Sequence, residues 1–286
     1  MKCDLHVHTV YSGMCTVPLM NRICRESYND PHQVYALLKR RGMDLVTVTD
    51  HDSIGSVEPL RRHADFFLSE EVSCRMSSGT HLHMGVYGIE ERHHVELQRR
   101  ADDMASLLGY LEEQDLLFSV NHVFSGLTGR RVEGDFEEFL ARFPAVETRN
   151  GQMLAAANRA AATFASRAGK IAVGGSDAHT LASLGRTYTE VHGARDAREF
   201  LTGLRRAKSV VAGDSGDYLR LTQAILEIGS QLVREHRAAA LLAPLFALVP
   251  AITAVNYALE TWFARKWGRR VERLWTPVPA LSVNQV

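Results

Sequence analysis

Net charge is the first thing this chain lacks: its 33 Lys and Arg balance 33 Asp and Glu. Without a basic field it is a poor fit to a dedicated binder of extended nucleic acid, which leaves only local patches to consider. Cysteine is scarce too. Cys3, Cys15, Cys24 and Cys74 all fall in the first quarter of the chain, at spacings that match neither a zinc knuckle nor a disulfide framework. They read as reduced thiols of a cytoplasmic protein. No export signal is expected, because Lys2 and Asp4 lead straight into a candidate strand. With 286 residues the chain can bury a full core, as one large α/β domain or as a smaller domain with an appendage.

What is present is a series of short β-branched runs, at 2–8, 44–49, 66–72, 81–87, 116–121, 145–148 and 171–174. Helix-forming segments at 31–41, 57–63, 95–114, 136–142, 152–168 and 197–207 come between or after them, with Gly42 and Gly169 where helix stops belong. Alternating strand and helix predicts a parallel sheet. The chemically interesting residues cluster at or just past the C-terminal ends of the runs. A (β/α) barrel gathers loops from many strands to one mouth, whereas an open doubly wound sheet is served mainly by strands beside its switch point. A barrel of about seven strands is therefore expected.

From about residue 216 the character changes, which sets a domain of 1–215 against a helical extension of 216–286. Residues 238–258 carry no charge and include Pro244 and Pro250, a stretch long enough to span a bilayer. Trp262, Phe263, Arg265, Lys266, Trp267, Arg269 and Arg270 follow, the aromatic and basic flank of a membrane anchor. Membrane contact through 238–270 is one expectation. A buried Ala/Leu-rich helical hairpin is the other.

His6 and His8 are two apart on a strand, so both rings leave the same face and can hold one ion as a pair. Asp4 shares that face, and a plain core pair of histidines there would bury unpartnered polar groups at some cost. At Thr49-Asp50-His51-Asp52-Ser53 an apolar strand ends in acid, imidazole and acid. His51 reads as a ligand, Asp50 or Asp52 as a carboxylate that orients one, and Asp52 more readily as a helix N-cap. One carboxylate of Glu70-Glu71 could bridge two cations, having two oxygens to share, while the other faces solvent or a helix. His81 and His83 point the same way, and spacing does not choose between them. His122 follows an apolar run and precedes a loop rich in Gly and Arg, which places it at the top of a strand. In Gly174-Gly175-Ser176-Asp177-Ala178-His179 the glycines permit a tight backbone, and Asp177 and His179 can both reach metal. His32, His63, His93, His94, His192 and His236 read as surface residues. Imidazole and carboxylate groups delivered in small sets are what a multinuclear centre for metal-assisted hydrolysis needs.

In this order, His6-x-His8, Thr49-Asp50-His51, Glu71, His83, His122 and Asp177-x-His179 resemble the polymerase and histidinol phosphatase (PHP) superfamily over residues 1–215. The resemblance implies a distorted seven-stranded (β/α) barrel, two or three divalent ions (Zn, Mn or Fe), and hydrolysis of phosphate esters. It further implies that His6, His8, Glu71 and Asp177 surround one ion, that Glu71 bridges to a second held by His83 and His122, and that His51 and His179 belong to a third. Relatives with three ions usually carry an Asp or His in the turn after the His-x-His, where this chain reads Tyr11-Ser12-Gly13-Met14. The third ion would then be weakly held, absent, or completed by water, substrate or Cys15.

The reaction expected from this set is attack on phosphorus by a hydroxide shared between two cations, with Glu71, Asp177 and His179 as the catalytic residues. His179 or His51 would protonate the leaving alkoxide if the third ion were missing. A phosphate monoester also wants cationic forks. Arg149, at the end of a strand, is the first candidate and Arg186 the second, with Arg130 and Arg131 behind them in a mobile loop. Neutral charge and a compact core favour a phosphomonoesterase for a small phosphorylated metabolite or nucleotide. The alternatives are a phosphodiesterase or exonuclease on short nucleic-acid ends, and a metal-stabilised non-catalytic module at a membrane.

Overall fold

Apolar runs separated by capped helices set the architecture seen in the computed structural model, which describes residues 1–17, 20–127 and 129–275. In chain order the elements are β1 (Lys2–Cys3), α1 (Pro31–Arg40), α2 (Val57–Leu60), β2 (Ser69–Arg75), β3 (His81–Tyr87), α3 (Glu91–Arg100), α4 (Met104–Glu113), β4 (Leu117–Val120) and α5 (Glu133–Arg142). Then come β5 (Ala145–Asn150), α6 (Ala155–Arg167), β6 (Ile171–Gly175), β7 (Thr187–Val191), α7 (Ala197–Arg205), β8 (Ser209–Gly213), α8 (Tyr218–Glu235) and α9 (Val249–Arg273). Helices begin where side chains satisfy their first amides. Asp30 accepts from the amides of His32 and Gln33, and Asp196 from that of Glu199. Asp103 accepts from Ser106 N, and this cap divides the single helix expected over 95–114 into α3 and α4.

The strands form two sheets, one of five strands in the order β2-β3-β4-β5-β6 and one of three in the order β1-β7-β8. The expected distorted seven-stranded (β/α) barrel is not seen among the described residues, whose strands divide between these two sheets. β3 runs antiparallel to both β2 and β4, because a short turn, in which Met76 N donates to Thr80 O, returns the chain directly from β2. β7 and β8 were not anticipated. Along 4–8 and 44–51 the chain lies beside its neighbours through isolated contacts only: Val7 bridges Ala178, Val46 bridges Phe66, and His51 bridges Glu71. A physical reason is visible in the polar side chains, which take backbone partners that a ladder would use. Thr49 Oγ1 accepts from Val7 N, Asp50 from Thr9 N, and Asp4 from the amides of His6, Ser176 and Gly185.

Apolar packing falls into several groups. Leu5, Leu45, Phe67, Tyr87, Leu117, Ala145 and Val173 form one, with Phe200 and Leu204 of α7. A larger group fills the space between the five-stranded sheet and helices α3 to α6, and α9 joins it through Ala264, Trp267 and Val271. Trp267 stacks on Phe136 with ring centroids 5.3 Å apart. The extension is thus packed on the core as far as it is described; residues 276–286 of it lie outside the described residues.

Between α8 and α9 runs a 3-10 stretch, Arg237–Leu248, and Pro250 sits in the first turn of α9, where a missing N–H costs no helical bond. Among the described residues, Arg237–Arg273 is the one helical stretch long and apolar enough to cross a membrane, by length and composition. The expected buried hairpin is overturned in one respect. Only 17% of its most apolar window is buried, and Leu241, Leu245, Leu248, Ile252, Val255, Leu259 and Trp262 are all exposed. Replacing Trp267 by Ala should lower unfolding free energy by about 3–5 kcal/mol, the range for deleting a buried aromatic side chain, read as a lower midpoint in urea denaturation.

Candidate metal centre

Glu71 lies at the middle of the polar cluster, fully buried near the start of β2. Its Oε2 is 3.0 Å from His6 Nε2, 3.3 Å from His8 Nε2 and 3.4 Å from His51 Nδ1. Its Oε1 is 3.2 Å from His122 Nε2 and 3.7 Å from His83 Nδ1. Asp177 Oδ1 faces the same space, 3.3 Å from His8 Nε2 and 3.5 Å from both His6 Nε2 and His179 Nδ1. All eight expected ligands, His6, His8, His51, Glu71, His83, His122, Asp177 and His179, therefore converge. His83 rather than His81 joins them, from the N-terminal part of the reversed strand β3, so it departs from the rule of C-terminal strand ends, as does Glu71 near the start of β2.

The surrounding groups fix which atom His6 and His8 present. His6 Nδ1 donates to Glu147 Oε1 at 2.7 Å, which turns Nε2 inward. Ser12 Oγ donates to Asp50 Oδ1 and so accepts from His8 Nδ1 at 3.0 Å. That leaves His8 Nε2 buried without a hydrogen-bond partner among the described residues, directed between two carboxylates. Asn121 Nδ2 donates to Glu71 Oε1, and Asn150 Nδ2 to Asp177 Oδ2. Glu147 Oε2 also accepts the amide of His122. The backbone is strained at two ligands, with φ of 30° at His122 and 52° at Asp177, a pattern that concentrates at functional sites. Gly175 must be glycine, because a Cβ there would lie 2.2 Å from His6 N.

Protonation follows this crowding. Burial pulls His6 down, but Glu71, Asp177 and Glu147 hold its pKa well above the ordinary value. Burial pushes Glu71 up, yet the charge on His6 and then His51, with hydrogen bonds from His122 and His6, keep it well below the usual carboxylate range. His51 is lowered to about 3, chiefly by burial, with His8 and His83 adding to it against Glu71 and Glu26. The cluster thus keeps some rings cationic and forces others neutral. Divalent cations would satisfy both kinds at once, taking the carboxylate charge and the imidazole lone pairs together. Ligand atoms bound to one ion at about 2.0–2.2 Å lie roughly 2.9–3.6 Å apart. Most nitrogen–oxygen separations around Glu71 and Asp177 fall in that range, His83 lying slightly beyond it. Four overlapping sets, His6/His8/Asp177, His6/Glu71/His122, His51/Glu71/His83 and His8/His51/His179, keep their ligand atoms within 4.8 Å of one another.

The expected phosphate forks do not join the cluster. Glu147 and Arg149 are two apart and would share a face in a regular strand, but the pairing of β5 with β6 shifts register between them. Glu147 goes inward, and Arg149 donates instead to Gly213 O, in an outer cleft with Ala155 and Val211. Arg186 donates to Ala182 O and faces Asp214, half exposed. Arg131 is buried and donates to His81 O, so it is not on a solvated loop. Asp52 accepts from Ser73 N and does not cap α2, which follows Ser56. His93 is buried against Tyr110, with its Nδ1 accepting from Glu90 N. His94 bonds Glu70, which faces α3 as one reading allowed. Sequence reasoning missed Glu147, Asn121, Asn150 and Ser12. For Glu147 there was a signal, an acid inside an apolar strand.

A family model described as PHP-associated matches residues 155–209, a stretch that holds Asp177 and His179. The protein MJ1587 of Methanocaldococcus jannaschii is 34% identical over 67 residues, which are 23% of this chain and 38% of that protein. PsfC from Pseudomonas syringae shares the fold with a TM-score of 0.59 at 15% identity, over 80% of this chain and 98% of its own. A candidate metal-dependent phosphoesterase from Bifidobacterium adolescentis does so at 0.50 and 13%, over 71% of this chain and 96% of its own. The family-model match over part of the chain and the ordered ligand set together support the PHP resemblance. Replacing Glu147 by Ala should weaken divalent-cation affinity about 10- to 100-fold, the usual effect of losing a carboxylate behind a ligand histidine, measured by competition with a chromophoric chelator.

Proposed function

We propose that this protein is a hydrolase of phosphate esters that works through divalent cations held around Glu71, and that its substrate is a small phosphomonoester. The sharing of one buried carboxylate between two groups of imidazoles carries the reading, since such a bridge sets two cations side by side. His6, His8, Glu71 and Asp177 would hold one; Glu71, His83 and His122 a second; His51 and His179 a further one. The mixed imidazole and carboxylate set suits Zn, Mn or Fe. Bound there, the ions would neutralise phosphoryl charge and lower the pKa of a bound water.

The chain's own residues do the positioning. Glu147 and Ser12 aim His6 and His8, while Asn121 steadies Glu71 through Oε1 and Asn150 holds Asp177 through Oδ2, leaving its inward Oδ1 free. His6 and His8 are shut off from solvent, and His51, His83 and His179 keep exposed edges, so substrate approaches over those three rings. That narrow face supports a small molecule over a long strand. Beside His179 a cleft of about 360 Å³, with Asn29, Gln33, Gln231 and Arg234 in its walls, would receive the rest of the substrate.

With Mn, Zn or Fe supplied, a panel of small phosphomonoesters and end-phosphorylated oligonucleotides should show turnover of the monoesters. His8→Ala or Asp177→Ala should reduce it about a thousandfold or more, as losing a group acting only as part of a unit does. Arg149→Ala should leave it unchanged. Activity confined to the oligonucleotides would overturn the monoester reading.

We further propose that the exposed apolar side of Arg237–Arg273 rests on an anionic lipid surface. Leu241 is 85% and Trp262 60% exposed, and no charged residue lies between Arg237 and Glu260. Basic residues stand at both ends, Arg234 and Arg237 at one and Arg265, Lys266, Arg269 and Arg270 at the other, complementary to anionic headgroups. The full chain should co-sediment with phosphatidylglycerol vesicles more than with phosphatidylcholine vesicles, and Leu245→Glu with Ile252→Glu should abolish this. A doubled mass in solution without vesicle binding would assign the face to a second copy of the chain and overturn the lipid reading.

A further inference from the structure

One carboxylate faces the metal cluster from a segment that no motif marks. Glu26 Oε1 lies 3.6 Å from His51 Nε2 and 3.6 Å from His179 Nε2. These are separations of two ligands around a common cation, longer than ordinary hydrogen bonds. His179 Nδ1 donates to the carbonyl of Asp177, which can only accept, so in the neutral ring the Nε2 lone pair points at the Glu26 oxygen. A lone pair against a carboxylate is repulsive unless positive charge sits between them. The His8 ring stacks on both partners, at 4.6 Å from His51 and 4.2 Å from His179, and its buried Nε2 has no hydrogen-bond partner among the described residues.

Local structure holds Glu26 there. Cys15 N donates to Cys24 O, Met14 bridges Arg25, and Glu26 N donates to Gly13 O, so the chain doubles back and sets Glu26 beside the turn that follows His8. Ser27 Oγ bonds the carbonyls of His8 and His179, and Asn29 Nδ2 donates to those of His8 and Ala178. From outside, Arg25 donates through Nε and Nη2 to Glu235 of α8, and Cys24 packs on Leu232 and Ala239. The segment is tied both to the backbone of two proposed ligands and to the C-terminal extension.

We propose that Glu26, with His51 and His179, holds a third divalent cation, its carboxylate supplying the negative ligand of that site. This rests on the reading of the Glu71 cluster as a metal centre. It also gives the extension a part in the centre, because α8 anchors the segment that delivers Glu26.

The full-length chain, stripped with chelator, is equilibrated with Mn²⁺, and bound manganese is counted by elemental analysis against protein folded by circular dichroism. Wild type should bind three ions. Glu26→Gln and His179→Ala should each bind two, and the double variant should lose no more. Glu26→Asp, which keeps the carboxylate, should retain the third ion with about 10-fold or weaker affinity, and it decides the matter if Glu26→Gln does not fold. Glu235→Gln should weaken the third ion alone. No ion bound by wild type would sink the metal reading of the whole cluster. Two ions in both wild type and Glu26→Gln, or three in both, would overturn the assignment of Glu26 while leaving that reading intact.

Discussion

Everything in the centre hangs on one buried carboxylate with two faces. Glu71 sets one oxygen toward His6, His8 and His51 and the other toward His122 and His83, drawing five rings from four separate chain segments to within a few ångströms. Burying an ionised carboxylate is costly unless its charge is met, and here it is met by imidazoles whose lone pairs or protons are set from behind. Glu147 and Ser12 set His6 and His8 in this way, and Asn121 and Asn150 hold the carboxylates of Glu71 and Asp177, so these four groups are positioned by a surrounding shell of hydrogen bonds.

Much of this was legible in the residue order. His6, His8, His51, His122, Asp177 and His179 stand in short runs whose ends announce a polar mouth, and the structure gathers them. Glu71 and His83 needed the resemblance, since spacing alone left Glu70 and His81 as equals. The distorted seven-stranded barrel is not seen among the described residues, whose strands form sheets of five and three. Strand periodicity says which side chains share a face but not whether backbone groups pair with a neighbour or with a threonine or aspartate, as they do at Val7 and Thr9. Parity also failed at Arg149, because a register shift between it and Glu147 reverses its side. Glu26 carried no local signal at all. It arrives by tertiary packing, through a doubled-back segment whose hydrophobic contacts lie on residues far along the chain.

The assignment of function is built on two unequal supports. Similarity to solved structures at 13–15% identity speaks to fold. The chemistry rests on donor types, their separations, and a buried ring nitrogen left without a partner between two acids. Those features call for cationic charge in the centre.

One contact on the far side of the ring has a consequence for how the protein can be divided. The loop that follows His122 is fastened to α9, where Glu260 accepts from Ser125 Oγ and Gly126 N. Its neighbour Trp267 covers Phe136. A chain cut at the apparent boundary near residue 216 would shed the peg from which a ligand loop is suspended and uncover an aromatic wall. The C-terminal helices thus buttress the loop that follows His122, one of the candidate ligands.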